Sequence, residues 1–200
     1  VVQDPKTKKY SLGFKVFELG CAVLTNAELR RAALPVMEEL GERTRETINL
    51  SVVNNGERVC IEKVESKEAV RNFVELGMRA PLYCGATGKV LLAFMSEEEA
   101  RRVLDRQELI SPVTGGPIDR TILEKELEVI RYQGYAVTRE ERSLGAASVS
   151  APIRDHTGRV VAALTISGPT SRFSPERVVE LIREVKGAAG AISQRLGYSG

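Results

Sequence analysis

Two alternating segments around a polar turn constrain the fold of this chain more than any other feature. In residues 146–153 and 160–167, one face of each segment is apolar and the other holds mostly alanine, serine and threonine. Successive side chains of a strand point to opposite faces, so each alternate set of residues lies on one side of its segment. The turn formers of Asp155–Gly158 lie between the two segments. The pattern therefore predicts an antiparallel hairpin that buries one of its faces.

The length of the turn sets the register of this hairpin. If the four residues 155–158 form the loop, the small hydroxyl side chains of both strands lie on one face. Such a face is either a solvated outer surface or the floor of a ligand pocket, and both interpretations stay open at this point. The predicted pairs are Arg154 with Arg159, Val149 with Leu164, Ala147 with Ile166, Ser148 with Thr165, and Ala146 with Ser167.

Composition and charge argue against several classes of protein. The chain has 29 Lys and Arg against 27 Asp and Glu, so no broad basic field for nucleic acid is expected. Tryptophan is absent and aromatic residues make up 5%, which argues against a base-stacking surface. No apolar run reaches the length of a membrane span, and no signal peptide opens the chain. Cys21, Cys60 and Cys84 are widely spaced, which predicts reduced thiols and a cytoplasmic protein.

The remaining elements follow from caps, turns and periodicity. Hairpin connections and irregularly mixed strands and helices predict an α+β fold with an antiparallel sheet. The first predicted elements are an apolar helix over Phe14–Leu24 and a helix with a capping box at Thr25 and Glu28. A hairpin over 47–65 follows, with its turn at Asn55 and Gly56. This turn pairs Leu50 with Ile61 and Val52 with Val59. The predicted elements continue with a strand near 69–76 ended by Gly77, a helix from Ser96 and Glu99 through Leu104, a helix from Thr121 and Glu124 to Gly134, and a last helix with Ser174 as N-cap and Pro175 after it.

Residues 83–90 form a small, glycine-containing segment before an apolar helix. The segment differs from a phosphate-binding P-loop because Tyr83 stands in the place of the first glycine and Val90 follows the lysine. Free N–H groups at a helix start attract anions, so these residues predict a carboxylate site around Ala86–Gly88. Close packing of the helix against the sheet explains the same small residues equally well.

Other candidate catalytic groups lack partners in the sequence. His156 is the only histidine and lies in a turn, so neither a zinc site nor a Ser-His-Asp triad is expected. Cys84 is either a nucleophile near a helix start or a buried thiol. The charged residues 139–142 are interpreted as a solvated edge. We therefore expect no enzyme activity, no metal and no cofactor.

Four motifs carry a resemblance that covers nearly the whole chain. They are Tyr10-Ser11-Leu12-Gly13, the segment Pro81 to Lys89, Gly134-Tyr135 followed by Glu140-Glu141 and Leu144-Gly145, and Ile166-Ser167-Gly168-Pro169. In this order and at these separations they resemble the IclR family of bacterial transcription regulators. The resemblance implies a GAF-like effector-binding domain over residues 26–200, in which helices flank a curved antiparallel sheet. It also implies a winged-helix DNA-binding domain before Val1, absent from this chain, with residues 1–12 as the end of its wing and 13–25 as a linker helix.

The resemblance further implies where an effector binds. The family's pocket lies on the sheet, beneath the loop that precedes the helix containing Gly88 and Lys89. The implied contacts are Ala86, Thr87, Gly88, Thr138, Ala146, Ser148, Thr165 and Ser167. Some relatives carry an acidic residue at the position of Thr138 and cysteine at that of Ser148, so their effector is not transferred to this chain.

The sequence thus predicts a domain that senses a small molecule, expected to be a small organic acid. The resemblance implies a homodimer or homotetramer that binds operator DNA through the winged helix, with no membrane association. The alternative is a cysteine-dependent enzyme with the same GAF-like architecture, such as a methionine sulfoxide reductase, which would use Cys84.

Overall fold

The computed structural model describes residues 2–11 and 28–200. The predicted helix over Phe14–Leu24 and the Thr25 half of the capping box lie outside these residues. In chain order the elements are β1 (Val2–Gln3), β2 (Tyr10–Ser11), α1 (Glu28–Thr44), β3 (Thr47–Asn54), β4 (Glu57–Val64), β5 (Arg79–Pro81), α2 (Ala86–Ala93), α3 (Glu97–Asp105), α4 (Arg120–Gln133), β6 (Ala136–Arg139), β7 (Ala146–Arg154), β8 (Val160–Pro169), a 3₁₀ turn (Thr170–Arg172) and α5 (Pro175–Arg195).

A six-stranded antiparallel sheet of order β5-β4-β3-β8-β7-β6 forms the centre of the domain. β1 and β2 pair separately with each other. Because β3 pairs with β8, the two hairpins β3–β4 and β7–β8 join into one sheet. The predicted α+β fold with an antiparallel sheet is confirmed.

Helices cover both faces of this sheet. One face packs against α1 and α5 in an apolar core whose fully buried members include Met37, Leu40, Ile48, Leu164, Ile166 and Leu181. The other face meets α2, which packs in turn on α4 through a second core that includes Leu82, Leu92, Leu123 and Ile130. This second face carries the serine and threonine residues of β7 and β8, and we call it the hydroxyl face.

The β7–β8 hairpin forms with its two predicted faces, but its predicted pairs are wrong by one residue at the turn and by two residues beyond it. The turn holds the five residues 155–159, one more than predicted; Asp155 N donates to Arg159 O at 3.0 Å, and Gly158 adopts a φ of +82°. Val161 is then an extra residue at a bulge, which moves every later pair. A shift of two residues leaves each side chain on its predicted face. The observed pairs are Arg154 with Val160, Ala151 with Leu164, Ser150 with Thr165, Val149 with Ile166, Ser148 with Ser167, Ala147 with Gly168, and Ala146 with Pro169.

A bulge also changes the predicted pairing of the β3–β4 hairpin. The turn at Asn55 and Gly56 is confirmed, with φ of +54° and +77°, and Val52 pairs with Val59 as predicted. Beyond that pair the register shifts between Leu50 and Ser51. Leu50 therefore pairs with Glu62 and not with Ile61.

Most predicted helix ends are confirmed. Ser96 and Glu99 form a capping box, Ser174 caps α5 with Pro175 at its first position, and Gly134 ends α4 in the left-handed conformation. The predicted start of α4 is wrong by two residues. Asp119 is its N-cap, because its Oδ1 accepts hydrogen bonds from Thr121 N and Ile122 N.

The predicted strand near 69–76 is also wrong. These residues form a loop, and pairing to β4 begins only when Gly77 N donates to Cys60 O at 2.8 Å. The short strand β5 follows at Arg79–Pro81. Thr47 Oγ1 donates to Asn72 O, and Arg172 Nη1 donates to Val70 O, so the loop is held against the edge of the hydroxyl face.

Candidate functional site

A partly open cavity of about 350 Å³ lies between the hydroxyl face and the N-terminus of α2. Its walls come from β3, β4, β6, β7 and β8, from residues 72–78, and from the two segments 84–87 and 141–143. Seven of the eight predicted site residues line it: Ala86, Thr87, Thr138, Ala146, Ser148, Thr165 and Ser167.

Gly88 is the predicted residue that does not line the cavity. A Cβ atom at this position would lie 2.7 Å from Leu82 O, so the absence of a side chain lets α2 approach the preceding turn. For Gly88, the alternative that small residues serve close packing describes the structure better than direct contact with a ligand.

The hydroxyl face is not an outer surface. Ser150, Thr165 and Ser167 are each at most 1% exposed. α2 and the loop over 66–78 account for this burial, because they lie over the face that the sequence leaves free of large side chains. Of the two interpretations of the hydroxyl face, the solvated surface is wrong.

A chain of hydroxyl bonds joins α2 to the sheet. Thr87 Oγ1 lies 2.8 Å from Thr165 Oγ1, which donates to Ser150 Oγ at 2.9 Å. Ser150 donates in turn to Leu164 O at 3.0 Å. Each hydroxyl has one hydrogen, so the direction of the chain makes Thr87 the donor to Thr165. Thr87 and Thr165 therefore offer a ligand acceptor oxygens and no free donor.

A second hydroxyl pair retains one donor. Ala86 N donates to Thr138 Oγ1 at 3.0 Å, and Thr138 Oγ1 lies 3.0 Å from Ser148 Oγ. The pair has two hydroxyl hydrogens and uses one between its members, so one remains for a ligand. The pair also occupies the Ala86 N–H, and Gly88 does not line the cavity, so the N–H of Thr87 is what remains of the predicted anion site at the helix start.

A buried lysine fixes the entrance to α2. Lys89 Nζ lies 2.7 Å from Glu126 Oε2 and 2.7 Å from Glu141 Oε1, and Lys89 is 6% exposed. The other oxygen of Glu141 accepts from Gly85 N at 2.9 Å. The interpretation of residues 139–142 as a solvated edge is therefore wrong for Glu141, whose carboxylate helps to build the cavity wall.

Two guanidinium groups in the wall were missed by sequence reasoning. Arg58 of β4 and Arg142 both line the cavity, and neither forms an ion pair with any residue of the two described ranges. Burial lowers the pKa of the Arg142 guanidinium. Arg58 shares a strand face with Cys60, so the available signal was a charged residue at an inward position of an alternating strand.

Cys84 lies in the cavity wall as a protonated thiol. Burial raises its pKa to about 11, and the neighbouring carboxylate of Glu141 acts in the same direction. Burial likewise raises the pKa of Cys60 to about 11. Because the thiolate is the nucleophile, these environments are unlike those of catalytic cysteines.

Other candidate sites are less well defined. Within residues 2–11 and 28–200, no cluster of His, Cys, Asp or Glu is arranged to hold a metal ion. The same part of the chain has no helix that is long and apolar enough to cross a membrane. An open groove of about 1050 Å³ lies beside α3 and contains none of the predicted site residues.

The close contact of Gly88 with Leu82 gives a test of how α2 packs against the preceding turn. We expect Gly88→Ala to lower the free energy of unfolding by about 1–3 kcal/mol, because a Cβ would overlap Leu82 O. Gly190→Ala is the control, since nothing lies within 4 Å of a Cβ there and alanine favours a helix by about 1 kcal/mol. Urea unfolding measures the free energy of unfolding of both variants, and a stabilised Gly88→Ala variant would contradict this close packing of α2.

The protonation of Cys84 gives a second test. At pH 8 we expect Cys84 to react with iodoacetamide at least about 100-fold more slowly than a free cysteine peptide, because its thiolate is scarce. The rate should keep rising with pH through 9 and toward 11. Peptide mapping by mass spectrometry separates Cys84 from the other cysteines, and labelling as fast as the free peptide would show that the thiol is activated.

Comparison with known proteins places this chain and its fold in a family. The family described as bacterial transcriptional regulator IclR C-terminal matches residues 21–194. The HTH-type transcriptional regulator KdgR of Escherichia coli K12 is 38% identical over 203 residues, which cover 99% of this chain and 75% of KdgR. The HTH-type transcriptional repressor AllR of the same organism is 36% identical over 197 residues, which cover 98% of this chain and 73% of AllR.

A solved structure agrees with the sequence matches. The crystal structure of the Thermotoga maritima IclR matches with a TM-score of 0.86 at 36% identity, over 98% of this chain and 79% of that chain. The predicted family and GAF-like fold are thereby confirmed. The chain belongs to the IclR family of bacterial transcriptional regulators and forms its C-terminal, effector-binding domain.

Proposed function

We propose that the cavity above the hydroxyl face is the effector site and that the effector is a small organic acid. The observation that carries this proposal is a concave cavity whose walls combine a row of hydroxyl groups with two guanidinium groups that lack carboxylate partners. Binding pockets of this size combine a concave shape with a few placed polar groups.

The charges around the cavity favour an anion. Arg58 and Arg142 each contribute a positive charge to the wall, whereas Glu141 contributes one negative charge, which Lys89 neutralises only in part because it also pairs with Glu126. The Cys84 thiol is neutral at physiological pH because its pKa is raised. The lining is therefore net positive, and a carboxylate is the common metabolite group that a guanidinium binds in a planar, two-bonded geometry.

Each group of predicted contact residues has a distinct role in the proposed site. At the helix start, the N–H of Thr87 attracts an oxygen of the ligand, whereas Ala86 lines the cavity with its N–H donated to Thr138 and Gly88 lets the helix pack closely. Thr138 and Ser148 supply the remaining hydroxyl donor. Thr165 and Ser167 add acceptor oxygens, and Ala146 leaves space for the ligand.

The regulatory step is proposed as linkage between effector and operator DNA. A ligand between α2 and the sheet favours one position of α2, and α2 is tied to α4 through Lys89 and Glu126. α4 presents an exposed apolar stripe of Ile122, Val129 and Tyr132, which suits a contact between subunits. A homodimer or homotetramer whose subunit arrangement depends on the ligand would change its operator affinity by the same coupling energy.

Several further assignments stay predictions. These are the cytoplasmic location, the winged-helix domain before this chain, and the division into residues 1–12, 13–25 and 26–200. We also infer that the domain is not an enzyme. The relatives KdgR and AllR are named as transcriptional regulators, and the raised pKa of Cys84 disfavours the cysteine-dependent alternative.

Filling the cavity tests the site directly. In calorimetry against a panel of hydroxy and oxo acids, we expect the best ligand to lose at least about 10-fold in affinity when Ser148→Leu or Ala146→Leu places a bulky side chain in the cavity. Thr121→Leu is the matched control, because Thr121 is exposed on α4. Undiminished binding to both cavity variants would contradict the proposed site.

A further inference from the structure

An apolar stripe on α4 is exposed, and no residue of the ranges 2–11 and 28–200 covers it. Ile122, Val129 and Tyr132 are 65%, 55% and 96% exposed, although all three lie on a regular helix of the domain. The opposite side of this helix is buried, through Leu123, Leu127 and Ile130. Because apolar surface in water costs free energy, a stripe of large side chains indicates a face that is covered in the assembled protein.

The spacing along this stripe is that of two packed helices. Residues 122, 125, 129 and 132 are separated by three, four and three positions, which is the pattern of the residues that face the partner in a helix pair. With Lys125 at the second position, they extend from the first turn of α4 to its last. We call these four residues the α4 seam. Its length and spacing fit a second helix lying along α4.

The charges of this face make it complementary to a copy of itself. Lys125 lies in the α4 seam and Glu128 lies one turn further along the exposed surface, and neither forms an ion pair within the described part of the chain. A two-fold contact brings the same patch of both subunits together, so each cation can meet the anion of the other copy. A nucleic acid or an acidic membrane selects an excess of positive charge, which this face lacks.

We propose that α4 forms a two-fold interface between copies of this chain, in which the α4 seams of the two subunits pack antiparallel. Residues 122 and 132 are equally distant from residue 127 along the chain, and so are residues 125 and 129. Antiparallel packing centred there places Ile122 beside Tyr132 of the partner subunit and Val129 beside Lys125 of the partner subunit. The charges of Lys125 and Glu128 from both subunits then form a neutral cluster at the centre.

This inference rests on the proposed function and adds to it the arrangement in which the subunits meet. Glu126 of α4 lies next to the α4 seam and pairs with Lys89 at 2.7 Å. The same ammonium group pairs at 2.7 Å with Glu141 of the cavity wall. One buried lysine therefore connects the interface to the proposed effector site, which gives the proposed linkage a contiguous set of contacts.

Sedimentation equilibrium of the chain tests the interface. A contact of one helix from each copy is smaller than a standard interface of about 800 Å² per partner, so we expect reversible, concentration-dependent association of the wild-type chain. Val129→Asp should weaken the dissociation constant at least about 10-fold, because the contact would bury its carboxylate among apolar side chains.

Val179→Asp is the matched control, since Val179 of α5 is 51% exposed and lies outside the interface. It should associate as the wild type does. The proposal is overturned by a wild-type chain that is still monomeric at about 1 mM, by unchanged association of Val129→Asp, or by an equal loss in the control.

Exchanging the two charges tests whether the face binds a copy of itself. Lys125→Glu leaves only carboxylates at the centre and Glu128→Lys leaves only ammonium groups, so each variant should associate more weakly than the wild type. An equal mixture of the two variants puts opposite charges on different copies and should associate more tightly than either variant alone. A mixture that associates no better than its components would show that α4 does not face a second α4.

Cross-linking through introduced cysteines tests the antiparallel direction. Glu128 lies near the centre, so Glu128→Cys should be joined to its own counterpart by a short bis-maleimide. Tyr132 lies about 15 Å along the helices from its counterpart, at a rise of about 1.5 Å per residue, so Tyr132→Cys should not be joined. The wild-type chain shows the background from its own cysteines. Equal cross-linking of both variants, or of neither, would contradict the antiparallel pair.

The outcomes for this interface are separate from those for the effector site. The site is judged by calorimetry, through the loss of binding in Ser148→Leu. A chain that remains monomeric but binds an acid, and loses that binding in Ser148→Leu, would keep the effector site and remove the interface. Association that responds to the α4 variants in a chain that binds no acid would keep the interface and remove the site.

Discussion

The hydrogen bonds between the start of α2 and the hydroxyl face are the interaction on which the site depends. Thr87 bonds to Thr165, and Thr138 accepts from the Ala86 N–H, so the helix end is held directly over small side chains. The small side chains of this face leave part of the space beneath the helix unfilled. The space that remains beneath it is the cavity of about 350 Å³.

Charge then gives this space a chemical preference. The ion pairs of Lys89 hold the loop before α2 and neutralise part of the charge of Glu141, the one acidic group in the wall. The arginines in the wall are left without such compensation, so the cavity is prepared for a negative ligand at a cost in stability. Natural binding sites commonly accept such a cost, because groups that a ligand will satisfy are unsatisfied before it binds.

The two faces of the sheet were predictable from the sequence, whereas its pairing was not. Alternation separates the hydroxyl side of β7 and of β8 from its apolar side, and pairing the two apolar sides places Ser148, Thr165 and Ser167 on one face. The longer turn of this hairpin and the bulges at Val161 and after Leu50 are set by backbone geometry that no residue type announces, and they moved the predicted pairs. The predicted site residues of the two strands still share one face, because a shift of two residues leaves each side chain on the same side of the sheet.

The charged part of the site could not be predicted from local patterns. Arg58 and Glu141 look like surface residues in the sequence, and only the tertiary packing of α2 and the loop over 66–78 buries them. The resemblance to a family identified the hydroxyl positions, and Gly88 shows the limit of that approach. Gly88 belongs to the predicted set of contacts, yet it packs against Leu82 and does not line the cavity.

A crystal structure of the chain grown in a saturating concentration of the acid that binds best in the calorimetric panel tests the central claim most directly. We predict electron density for this acid in the cavity between α2 and the sheet, with its carboxylate on the Arg58 or Arg142 guanidinium. An acid bound only at the surface, or a cavity closed by side chains with both arginines paired to protein carboxylates, would contradict this claim.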